Sequence, residues 1–139
     1  QVYPEPQNDD DQRVGFPRVL CVDDQVFNVE ALDILLTVCS VNTDVQMHYA
    51  YGGQQALMQV EAQSDLNAYQ VIFMDCNMPF MDGYQATRRI RQLYQERGLP
   101  QPYIAAITGH GEEMYVEIAA DAGMNQVIVK PASKKQIDA

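Results

Sequence analysis

Basic residues are scarce in this chain: 9 Lys and Arg stand against 19 Asp and Glu, a formal net charge of −10. Such a charge repels phosphate backbones and anionic headgroups, so nucleic acid and membrane surfaces are not expected partners. No apolar stretch approaches the roughly 18 residues that a spanning helix needs, and the first residues are polar and acidic, unlike a secretory signal. These absences point to a soluble, cytoplasmic domain, whether or not a parent chain is anchored in a membrane. Cysteine is also sparse. Cys21, Cys39 and Cys76 are an odd number, too few for a disulfide scaffold, and each has apolar neighbours, as buried reduced thiols do. Lysine is missing altogether until Lys130.

What is present suits one packed domain: 139 residues, 47% of them hydrophobic. The first 15 residues carry two prolines, the run Asp9 to Asp11 and little to bury, so 1–15 reads as a flexible acidic leader and 16–139 as the folded unit. From Arg18 onward, short apolar runs alternate with helical stripes. Arg18 to Val22 precedes Gln25 to Cys39, Val45 to Ala50 precedes Gly53 to Ala62, and Gln70 to Met74 precedes Tyr84 to Tyr94. Tyr103 to Ile107 then precedes Glu112 to Ala122, and Gln126 to Val129 precedes Ser133 onward. The runs VLCV, VIFM, YIAAI and VIV are continuously apolar, as in strands covered on both faces. Five β–α units with right-handed crossovers predict an α/β fold with a doubly wound, five-stranded parallel sheet. Four arginines between 88 and 97 read as the solvated face of a helix.

In such sheets ligands bind beyond the carboxyl ends of the strands. There the sequence puts Asp23 and Asp24, Asp75, Thr108 and Lys130. Each Asp alone can cap a helix, and Asp24 before Gln25 is a natural candidate for that. Three carboxylates together repel and call for a cation. Oxygen ligands without His or Cys suit a hard ion, Mg²⁺ first and Mn²⁺ as a substitute. A phosphoryl group beside that ion would find a point charge in Lys130 and a hydroxyl in Thr108. Asp75, central in the sheet, is the natural nucleophile for an aspartyl phosphate.

Four segments in this order resemble the phosphoacceptor receiver domain of two-component phosphorelays. They are Val22-Asp23-Asp24 with Asn28 and Leu32 behind it, Met74 to Gly83 (MDCNMPFMDG), Ile107-Thr108-Gly109, and Val129-Lys130-Pro131. The wording around Asp75 is most similar to receivers of eukaryotic-type hybrid histidine kinases. The resemblance implies the flavodoxin-like strand order 2-1-3-4-5 and phosphorylation of Asp75 by a histidine kinase or a histidine phosphotransfer protein. It implies a metal held by Asp23, Asp24, Asp75 and the backbone carbonyl of Asn77, and phosphate contacts from Thr108 and Lys130. It also implies that Asn77 and His110 tune hydrolysis of the phosphoaspartate. As a domain the chain is then a switch rather than an independent enzyme. The alternatives are a docking receiver that is not phosphorylated and an aspartyl-phosphate phosphatase. The phosphatase would need an acid–base carboxylate two residues after the nucleophile, where Asn77 stands.

Two positions depart from the family pattern. Val127 occupies a place where an aromatic residue is usual, and Tyr103 and Tyr115 read as core residues rather than substitutes. Only Ser133 to Ala139 remain for a fifth helix, which reads as truncated. A shortened helix is expected to bare apolar surface on the sheet and first helix, a face suited to self-association.

Overall fold

Among the described residues, the five short runs form strands, and the helical stripes beginning at Gly53, Tyr84 and Glu112 form helices. The computed structural model of the protein describes residues 18–25, 46–109 and 113–129. Within them lie β1 (Arg18–Val22), β2 (Gln46–Ala50), α1 (Gly53–Ala62), a short 3-10 turn (Asp65–Asn67), β3 (Val71–Asp75), α2 (Gly83–Glu96), β4 (Tyr103–Thr108), α3 (Glu113–Ala122) and β5 (Gln126–Val129). The expected helix from Gln25 to Cys39, the leader, Cys39 and the shortened fifth helix all fall outside the described residues. The 3-10 turn has no counterpart in the sequence reading.

All four strand pairings are parallel and the order is β2-β1-β3-β4-β5, as the alternation of elements requires. Side chains alternate faces along a strand, so each continuous run feeds two cores. Leu20, Val22, Ile72, Met74, Ile104 and Ala106 pack with Leu57 and Val60 of α1 and Ala86 and Ile90 of α2. Val19, Cys21, Phe73, Ala105, Ile107 and Ile128 form the second cluster. Every member of that second cluster is at most 7% exposed. Cys21 and Cys76 are buried and outside any disulfide, as expected.

Single residues set the helix ends. Asp82 caps α2, its Oδ1 accepting the Gln85 N–H at 2.9 Å. Gly123, at φ +101°, ends α3 in the left-handed region. The arginine face of α2 is only half solvated. Arg88 and Arg89 are exposed, whereas Arg91 donates to the carbonyls of Gly123 and Pro102 and to Asn125 Oδ1. Arg97 donates to the Val60 and Gln63 carbonyls at the end of α1 and to Asp65 at 2.7 Å. These two side chains tie neighbouring elements together because carbonyls at element ends lack other donors. Tyr103 also departs from expectation: it is 46% exposed and its hydroxyl bonds Gln126 rather than the core.

At the amino ends of the strands lies a buried polar chain that the apolar reading of β1 passes over. Arg18 donates to the Asn67 carbonyl and to His48 Nε2, 3.1 Å away. A guanidinium only donates, so Nε2 accepts and Nδ1 carries the proton, which it gives to the Tyr69 hydroxyl at 2.5 Å. The Tyr94 hydroxyl donates to the Tyr69 carbonyl at 2.8 Å. Burial pushes the Tyr94 phenol up to about 12. An unfolded tyrosine ionises near 10, so the stability held in this proton is complete below about pH 10 and lost as pH rises to about 12. That loss amounts to about 2 to 3 kcal/mol. Urea unfolding at stepped alkaline pH should show a flatter decline for Tyr94→Phe than for the wild type; parallel declines would contradict this assignment.

Candidate functional site

The candidate site is built by three adjacent strands that stop at the same level. β1 runs straight into Asp23, whose N–H donates to the Ala50 carbonyl at 3.1 Å and so continues the ladder one residue past the strand. β3 ends on Asp75, and the Cys76 N–H continues its ladder to the Ile107 carbonyl at 3.0 Å. β4 ends on Thr108, one residue beyond Ile107, the register partner of Asp75. Backbone pairing alone thus brings these residues to one edge. Asp23, Asp75 and Thr108 are buried, and Asp24 is half-buried.

One carboxylate oxygen from each of Asp23, Asp24 and Asp75 lies within 4.8 Å of the other two. At an effective dielectric near 20, each ionised pair at that spacing repels by about 3.5 kcal/mol or more. All three donors are hard oxygens, and among the described residues no His or Cys joins the group. This donor set fits Mg²⁺ or Mn²⁺, which takes one or two carboxylates with water and leaves room for phosphate oxygens. The Gln25 N–H donates to Asp23 Oδ1 at 2.9 Å, and the N–H groups that Asp24 would cap lie outside the described residues. Asp23 reaches that N–H two residues ahead in an Asx turn, which leaves Asp24 on the open side of the cluster.

The segment from Asp75 to Gly83 is held at both ends. Asp75 Oδ1 accepts the Asn77 N–H at 3.3 Å, and the Gly83 N–H donates to the Cys76 carbonyl at 3.1 Å. A Cβ on Gly83 would lie 2.1 Å from the Asp75 carbonyl oxygen, so α2 starts in direct backbone contact with the end of β3. Met78 is buried in the core while Asn77, Pro79 and Phe80 are exposed. Between Pro79 and Met81 the chain makes a γ-turn: the Met81 N–H donates to the Pro79 carbonyl at 2.8 Å, with Phe80 at φ +70°. Nothing in the sequence pattern announces this turn, since a Phe usually marks core. Tyr84, one residue into α2, was also not singled out. Desolvation and then a hydrogen bond with Cys76 push its phenol well above the ordinary value, so it stays neutral beside the site.

Lys130 and His110 lie outside the described residues, although Val129, just before Lys130, is the register partner of Thr108. Val127 is partly buried and packs against the larger core cluster. Beta-branched and short, it fills that position with apolar contact and offers no ring to move with Thr108.

Comparison with known proteins agrees with this geometry. Residues 19–139 match the family model described as the response regulator receiver domain. The chain is 33% identical over 120 residues to hybrid signal transduction histidine kinase L of Dictyostelium discoideum, covering 86% of this chain and 7% of that protein. It is 48% identical over 69 residues to probable histidine kinase 2 of Oryza sativa, covering 50% of this chain and 6% of that protein. The chain thus spans a small part of the relatives it matches. Among solved structures, the receiver domain of the histidine kinase CKI1 from Arabidopsis thaliana, complexed with Mg²⁺ and BeF₃⁻, superposes with a TM-score of 0.69 at 31% identity. That match covers 82% of this chain and 80% of the other. Chemotaxis protein CheY4 of Vibrio cholerae shares the fold, with a TM-score of 0.72 at 22% identity, over 88% of this chain and 93% of that one.

Proposed function

The chain belongs to the response regulator receiver domain family, and from that premise we propose that it is a phosphoacceptor switch in a histidine-to-aspartate phosphorelay, modified on Asp75. The observation that carries this reading is the convergence of the Asp23, Asp24 and Asp75 carboxylates within 4.8 Å at the strand ends. A carboxylate buried in that setting is aimed by its backbone and needs little further organisation to act as a nucleophile.

In the step proposed, an Asp75 oxygen attacks the phosphorus of a phosphohistidine, an O–P bond forms and the N–P bond breaks. The imidazole leaves with the electron pair and takes up a proton. The donor would be a histidine kinase or a histidine phosphotransfer protein. Asp23, Asp24, Asp75 and the Asn77 carbonyl would hold Mg²⁺, which supplies charge neutralisation for the transferring group. Thr108 would donate its hydroxyl to a phosphate oxygen, and Lys130 would pair with Asp75 or its phosphate. Movement of Thr108 toward the phosphate would draw on the segment after β4 and so report phosphorylation to α3. Asn77 and His110, beside the site in sequence, would set how fast water removes the phosphate. The parent would be a hybrid histidine kinase or a response regulator.

Incubation with acetyl phosphate and Mg²⁺ tests the reading, with intact mass as the readout. Addition of a single phosphoryl group is expected; a folded protein that gains none would be a docking receiver instead. Mg²⁺ alone should also stabilise the domain. At a concentration about ten times its Kd, binding adds about 1.4 kcal/mol to unfolding. Asp23→Asn and Asp24→Asn should each remove most of that gain, as read by the melting temperature with and without the ion. An undiminished gain in both variants would place the ion elsewhere.

A further inference from the structure

Phe80 combines two features that folding does not reward. Its side chain is 100% exposed, and its backbone sits at φ +70°, which a bulky L residue rarely adopts. An aromatic ring in water gains no burial, and a strained backbone persists only where its surroundings impose it. The surroundings here are unusually firm. The Met81 N–H closes the turn on the Pro79 carbonyl, Met78 is anchored in the core, and the Gly83 N–H is bound to the Cys76 carbonyl. Gly83 packs against the Asp75 carbonyl too closely for any side chain between them. The ring is therefore displayed in solvent on the segment that joins Asp75 to α2, five residues after the candidate nucleophile.

Resting on the phosphoacceptor reading above, we propose that Phe80 is the docking anchor for the phosphohistidine-bearing donor protein, its ring entering an apolar pocket beside the donor's imidazole. Charge argues for such an anchor. A chain of net charge −10, with three carboxylates at the site, repels a donor that carries a phosphoryl group. The proposed Mg²⁺ and Lys130 would offset that repulsion only at the phosphoryl group, so the rest of the donor's surface has to be held by contacts that do not depend on charge, and buried aromatic side chains are the commonest anchors of protein interfaces. A small phosphodonor reaches Asp75 without touching the ring, so the two kinds of donor separate docking from chemistry.

The experiment compares wild type with Phe80→Asn, which accepts a positive φ without strain, and with Phe80→Tyr, which keeps the ring. Each is labelled by acetyl phosphate with Mg²⁺ and by a histidine phosphotransfer protein loaded with ³²P-phosphohistidine and chosen because it labels the wild type. For Phe80→Asn, kcat/KM with the protein donor should fall by roughly tenfold or more, the loss of one interface anchor, mainly through KM. Labelling by acetyl phosphate should stay within about twofold, and Phe80→Tyr should retain most of the protein-donor rate. An undiminished protein-donor rate in Phe80→Asn would overturn the assignment. Equal losses with both donors would do so too, by making Phe80 a support for Asp75 rather than an anchor. A change confined to sedimentation of the free chain would mean that a second copy occupies the ring instead. Failure of acetyl phosphate to label the wild type would reject the phosphoacceptor reading itself, a result distinct from all of these.

Discussion

Gly83→Ala should be among the most damaging single-methyl changes in this domain, lowering unfolding free energy by about 3 kcal/mol or more. The added Cβ would lie 2.1 Å from the Asp75 carbonyl oxygen, 2.9 Å from its carbon and 3.0 Å from the Cys76 Cα. All three are backbone atoms at the end of the central strand and the residue after it, so no side chain can turn aside to make room. Relief requires α2 to back away from β3, which strains the Gly83-to-Cys76 hydrogen bond and loosens Ala86 and Ile90 in the core. It also shifts the carbonyl of the residue that carries the candidate nucleophile. Gly98→Ala is the useful contrast: that glycine is left-handed at φ +67° but has open space around it, so its cost is limited to about 1 kcal/mol of backbone strain. Urea midpoints measure both. A Gly83→Ala protein that unfolds within about 0.5 kcal/mol of wild type would contradict the contact.

Asp75→Asn is expected to abolish phosphoryl incorporation altogether while leaving the fold in place. An amide oxygen is too weak a nucleophile to form the acyl phosphate, yet Asn keeps an Oδ1 to accept the Asn77 N–H, so the turn after β3 is preserved. Removing one charge from three also relieves repulsion within the cluster. Without divalent ions the variant should therefore unfold within about 1 kcal/mol of wild type. With Mg²⁺ the wild type should pull ahead, because the variant has lost one anionic ligand. Residual labelling of Asp75→Asn at the wild-type rate would move the acceptor to another side chain.

Much of this was legible because the relevant forces are local. Continuous apolar runs marked strands buried on both faces, and the order of elements fixed a parallel sheet with β3 at its centre. The acids at strand ends then had to meet, since parallel strands of similar length end together. The parts that escaped depend on partners distant in sequence or on backbone geometry. Arg18 reads as the polar edge of an apolar run, and its contacts with His48 and Asn67 lie 30 and 49 residues away. Arg91 and Arg97 carry the composition of a solvated helix face, but the carbonyls they reach belong to other elements. In the sequence Gly83 is only the residue before the Tyr84-to-Tyr94 helical stripe, whereas its tightest constraint is contact with the Asp75 backbone. Phe80 read as an apolar residue within a motif, and only the turn around it turns the ring into solvent.

The central claim is that Asp75, among 19 acidic residues, is the one that takes a phosphoryl group. Its most direct measurement is borohydride trapping after treatment with acetyl phosphate and Mg²⁺, since reduction of an acyl phosphate converts that Asp to homoserine, followed by peptide mass mapping. Conversion at Asp75 alone, absent without Mg²⁺ and absent in Asp75→Asn, is the predicted result. Conversion at Asp23, Asp24 or a surface carboxylate, or none in a folded and Mg²⁺-loaded protein, would contradict it.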